Sequence, residues 1–148
     1  MKIIKSLVNS TGLMLMIATW TFSGQCHAEQ ATNDLEALQG TWKTVSFEMR
    51  GRKMPADYIL QIKGDQWTVI QPNGKSNTCP FRITSSLTPR QIDMIPVTST
   101  NEPMSKGIYK LEGDTLTICR TEGGRARPQE FKTTSRAGIL AVWQREKK

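Results

Sequence analysis

From Gly40 to Arg145, apolar residues recur at every second position in short runs, and turn-forming residues separate the runs. The clearest case is Lys106–Phe131, KGIYKLEGDTLTICRTEGGRARPQEF. Tyr109 and Leu111 share one parity before Glu112-Gly113-Asp114, and Leu116 and Ile118 share one parity after it. A period of two puts those four on one face and Lys110, Thr115 and Thr117 on the other. That is the pattern of a β-hairpin with one oily side.

The unit repeats along the chain. Strands are predicted from Gly40 to about Met49, then over Tyr58–Lys63, Gln66–Gln71, Thr78–Thr84 and Gln91–Val97. The hairpin follows, with a short strand at Gln129–Thr133 and a last one at Ile139–Arg145. Arg50-Gly51-Arg52, Gly64-Asp65 and Pro72-Asn73-Gly74-Lys75 supply turns. Pro55 delays re-entry into a sheet, and Pro96 frays the fifth strand. The one helical signal is a single turn through Leu35–Leu38, capped by Asn33 or Asp34. About eight or nine short strands joined by tight turns predict an all-β fold, a single antiparallel up-and-down barrel. A two-sheet sandwich is the alternative.

The first 28 residues read differently. Lys2 and Lys5 precede an apolar stretch, Leu13–Phe22, and Cys26-His27-Ala28 offers small residues at a cleavage site. The expectation is a signal peptide over residues 1–28, export to the periplasm or beyond, and one domain over residues 29–148. The apolar stretch is short of the roughly 20 residues a spanning helix needs, so no transmembrane segment is expected after cleavage. Anchoring through a lipidated Cys26 is disfavoured, because Gln25 stands where that processing wants a small residue.

Cleavage would also remove His27, the sole histidine. Histidine triads, histidine bases and the usual zinc and haem ligand sets are then excluded. No metal and no cofactor is called for. Glu112 and Asp114 flank a turn glycine, and Asp93 falls on a polar parity. Ser105-Lys106 lacks an orienting partner, and Gly123-Gly124 lacks the strand-to-helix setting of a phosphate loop. No catalytic residue emerges, and an enzyme is not expected.

Two cysteines remain, Cys79 and Cys119. A bridge would close a loop of about 40 residues, worth about 4 kcal/mol by chain entropy. Parity opposes it: Cys79 shares a face with Phe81 and Ile83, whereas Cys119 lies opposite Leu116 and Ile118. A disulfide and two free thiols, Cys79 in the core and Cys119 half-covered, both stand open.

Without Lys2 and Lys5 the chain carries 18 basic and 13 acidic residues. It has no Lys/Arg runs interleaved with aromatics, so nucleic acid is not an expected partner. A small acidic molecule or an anionic envelope polymer is.

Gly40-Thr41-Trp42 after a short turn, leading into a meander, resembles the start of the lipocalin fold, whose tryptophan plugs the barrel base. LQGTWKTVS at 38–46, FRITSSLTPRQIDM at 81–94, GIYKLEGDTLTIC at 107–119 and RPQEF at 127–131 extend the likeness. Together they resemble a small exported lipocalin-like domain, itself uncharacterised, that is common in planctomycete bacteria. The resemblance implies export and a barrel with Trp42 at its base, and it assigns no binding residues. Arg120 departs from the apolar or small residue expected after the cysteine.

In a meander, loops alternate between the two barrel ends. Loops 50–56, 71–77, 98–106 and 121–128 then share the end away from Trp42. They hold Arg50, Arg52, Lys53, Lys75, Lys106, Arg125 and Arg127 against Glu102 and Glu122. Loops 63–65, 84–90, 112–114 and 133–138 balance to zero. A cationic mouth above an apolar interior suits a small apolar or amphiphilic anion. Trp42, Trp67, Phe81, Tyr109, Leu116, Ile118 and Leu140 would otherwise fill the barrel, leaving a structural module of the envelope with no cavity.

Overall fold

The computed structural model describes residues 33–97 and 103–147; the expected leader, the start of the expected mature domain and Glu102 of the expected mouth loop lie outside them. Among these residues the strands are β1 Gly40–Met49, β2 Arg52–Lys53, β3 Ile59–Lys63, β4 Gln66–Ile70 and β5 Ser76–Thr84. They continue with β6 Arg90–Met94, β7 Ser105–Glu112, β8 Thr115–Glu122 and β9 Ile139–Arg145. From β3 to β9 each strand pairs antiparallel with the next, β1 pairs with β3, and β9 returns to β1. The result is a closed eight-stranded up-and-down barrel, as the alternation predicts. The two-residue β2 is a spur on the far end of β1. Closure satisfies the strand edges that an open sandwich would leave exposed.

Strand β1 hides its own pattern. Counting by twos from Trp42 would aim Thr44, Ser46 and Glu48 inward. The β1–β9 register slips between Thr44 and Ser46, making Val45 a bulge residue, 63% exposed. After the slip Phe47 and Met49 face inward, paired with Ala141 and Ile139. One extra residue thus converts a polar stripe into an apolar lining.

The base is sealed by local chemistry. Trp42 is fully buried, and its Nε1–H donates to the Leu38 carbonyl at 3.0 Å. The Arg145 guanidinium lies 4.0 Å from the Trp42 ring centroid. It also donates to the carbonyls of Ala37 at 2.5 Å and Gln39 at 2.6 Å, capping the helical turn over residues 33–38. Asp34 ties that turn to the barrel, accepting from the Tyr109 hydroxyl at 2.7 Å and pairing with Arg90 at 3.2 Å. Burial, reinforced by the Asp34 contact, pushes the Tyr109 phenol far above its ordinary range.

Two expectations fail, one through barrel closure and one through register. Gln129–Thr133 is not a strand, because β8 pairs directly with β9 and closure leaves no edge for it. Residues 123–138 instead form one long connection across the outer wall, where the Lys132 carbonyl accepts from the Cys119 thiol. Leu140 does not fill the core either. Its register partners, Cys119 and Glu48, place it on the outer face, and Ile139, Ala141 and Trp143 point inward instead. No helix among the described residues is long and apolar enough to cross a membrane.

Candidate functional site

Large side chains fill the base half of the barrel: Trp42, Leu60, Ile62, Tyr109 and Leu116 are all buried. Above them the lining becomes sparser, and a cavity of about 280 Å³ remains, reaching toward the end away from Trp42. Phe47, Tyr58, Trp67, Met94, Ile118 and Trp143 form most of its apolar wall. Edge-to-face pairs, Phe47 with Tyr58 and Trp67 with Phe81, hold these rings in place. The buried Trp143 Nε1–H has no hydrogen-bond partner among the described residues. An unpaired indole donor is costly in so apolar a wall.

Arg120 brings the charge. Leu116, Ile118 and Arg120 have the same parity on β8, so its side chain follows theirs inward and lines the upper cavity. Its Nη1 donates to the Ser105 hydroxyl at 3.2 Å. Across the ladder stands Gly107, whose missing side chain makes the room. A Cβ there would lie 3.0 Å from the Arg120 Cβ and 3.2 Å from Ile92 Cγ2. Cys79 lines the same cavity. Burial raises its thiol pKa, and the Arg120 charge acts in the opposite direction. A guanidinium near the rim with aromatic rings beneath it can hold a carboxylate above and shelter an apolar tail below.

The predicted mouth residues divide into two groups. Arg50, Arg52, Lys53, Lys75 and Arg125 are exposed on the connections at the end away from Trp42, as loop alternation expects. The long 123–138 connection adds Arg136 to that end rather than to the opposite one, and Arg50, Arg125 and Arg136 border one small cleft. Arg127 is elsewhere. It folds back along the outer wall, where its Nη1 donates to the Gly107 carbonyl at 2.7 Å and lies 2.7 Å from Asp93 Oδ1. Nη1 also donates to the Ile92 carbonyl at 3.4 Å, so both its N–H groups go to carbonyls and the Asp93 contact is ionic rather than a hydrogen bond. Lys106 also belongs to the outer face, cross-strand from Asp93 and Thr121. Arg127 is thus drawn away from the mouth, and Lys106 does not face the barrel interior.

The cysteines are free. They lie on opposite faces of the wall: Cys79 is the register partner of inward Trp67, and Cys119 that of Ile108 on the outside. Their burial reverses the expectation. Cys119 is fully buried beneath the 123–138 connection, and Cys79 is only partly buried, beside the cavity.

In the sequence Arg120 stands out only as a departure from the apolar or small residue expected after the cysteine. The signal that could have placed it was parity with Leu116 and Ile118, the same rule that built the hairpin. No family model matches the chain, and comparison with curated proteins and with solved structures likewise gives no significant match.

Proposed function

We propose that this chain is an exported, non-enzymatic, lipocalin-like barrel that binds a small amphiphilic anion, with the anionic head on Arg120 and the apolar tail between Trp67 and Trp143. The observation that carries the reading is a guanidinium set into the upper wall of a mainly apolar cavity, which Gln71 and Asn77 also line. Guanidinium–carboxylate hydrogen bonds are charge-assisted and strengthen where water is excluded. The rim cations Arg50, Arg52, Lys53, Lys75 and Arg125 draw an anion toward the opening without needing to touch it. Cys79 supports binding over chemistry, since burial disfavours its thiolate, the nucleophilic form, against the opposing charge of Arg120.

Size narrows the ligand. A volume of about 280 Å³ is near the lower end of the usual range for ligand sites. At about 30 Å³ per water-sized group, it admits a molecule of roughly ten non-hydrogen atoms. Octanoate fits that description, and octanol is its neutral counterpart. Titration followed by tryptophan fluorescence tests the assignment, because two of the four tryptophans line the cavity. Octanoate binds more tightly than octanol in the native protein. Arg120→Met weakens octanoate by about 10- to 100-fold, the loss of a charge-assisted hydrogen bond, and leaves octanol nearly unchanged. Equal affinity for octanoate in both proteins would remove Arg120 from the site.

A further inference from the structure

Beyond the cavity, the rim has its own chemistry. Arg50, Arg52, Lys53, Lys75, Arg125 and Arg136 form no ion pair among the described residues. Elsewhere pairing is common: Lys43, Arg82, Arg90, Arg127 and Arg145 each meet a carboxylate. Three of the five exposed large apolar residues described lie at this end, Val45 being on the β1 wall and Leu87 at the opposite end. Val97 is 81% exposed, Met104 48% and Met54 47%, and all three sit on the connections around the opening. The exposed carboxylates described on the same connections are Asp57 and Glu130, and Glu130 pairs with Lys132. Cations that meet no carboxylate among the described residues and aliphatic side chains left in water share one rim.

We infer that the open end docks on an anionic phospholipid bilayer, with Met54, Val97 and Met104 entering the headgroup–acyl boundary and the six cations engaging lipid phosphates. Charge alone would suit any polyanion. The three apolar side chains single out a bilayer, because a hydrated polymer offers nothing apolar to receive them. Docking in this orientation faces the cavity toward the membrane, so an amphiphile could pass between the two without crossing bulk water.

The test is co-sedimentation of protein purified from a bacterial periplasm with vesicles of phosphatidylglycerol and phosphatidylcholine, and with pure phosphatidylcholine vesicles. The anionic vesicles retain the protein, the neutral ones do not, and high salt releases it. Arg50→Glu with Arg136→Glu lowers the partition coefficient at least about tenfold, at roughly fivefold per cation lost. Met54→Glu with Val97→Glu lowers it comparably. Neither residue lines the cavity, so octanoate affinity is retained in that variant and reports that the barrel is intact. No retention on anionic vesicles would overturn the inference. So would retention that depends on the arginines but not on Met54 and Val97, which would indicate a soluble polyanion as the partner. A failure of octanoate binding with vesicle docking intact would count against the cavity reading alone.

Discussion

Gly107 shows how much one missing side chain decides. Glycine weakens a strand interior, yet this position faces Arg120 and Ile92, with the Cys119 carbonyl 3.0 Å from where a Cβ would stand. Gly107→Ala is expected to destabilise the barrel by about 1–3 kcal/mol, the usual range for overpacking, and to lower octanoate affinity by displacing Arg120. Urea unfolding read by tryptophan fluorescence measures the first effect; an unchanged midpoint would mean the neighbours yield freely. The thiols give a second check. Mass spectrometry of unreduced, denatured protein after alkylation should show both Cys79 and Cys119 modified. In the folded protein Cys119 should resist, shielded beneath the Lys132 carbonyl. At this scale the sequence was legible wherever a residue continued a parity, as Arg120 does. It was not legible for Arg127, whose contacts with Gly107 and Asp93 depend on the path of a long connection that has no period to read.

Among the elements, the strands with clean alternation were found within two or three residues of their ends, because each buries one face and wets the other. β1 was found by its ends alone, and its interior lining was not legible, since a bulge shifts parity without a sequence mark. Val45→Lys should therefore be nearly neutral, within about 0.5 kcal/mol, while Phe47→Ala two residues on should cost about 2 kcal/mol or more. Comparable losses in thermal unfolding would mean that β1 runs without the bulge. The stretch Gln129–Thr133 failed in the opposite way. Its local pattern suits a strand, but the β8–β9 pairing leaves no edge, and tertiary closure overrides propensity.

For the whole molecule, the buried acids set the response to pH. Burial raises the thiols of Cys79 and Cys119 above their ordinary value of 9.0, and raises the Tyr109 phenol further. Above about pH 9 the unfolded chain loses these protons while the folded one keeps them, so fewer protons are bound on unfolding and stability falls as pH rises. Lys43, raised by its contact with Glu146, acts in the same direction: its contribution is present below its ordinary value of 10.5 and lost above it. Thermal midpoints should hold steady to about pH 8 and decline by pH 10.5, less steeply in Cys79→Ser with Cys119→Ser. A midpoint that rises over that interval would contradict the burial of these groups.

Whether the barrel holds an anion on Arg120 is decided by carboxyl-labelled octanoate followed by carbon-13 NMR. A bound carboxyl resonance is expected whose titration lies below that of free octanoate, because the guanidinium favours the charged form, and it is lost in Arg120→Met. A bound resonance that titrates like the free acid, and survives in Arg120→Met, would contradict an anion on Arg120.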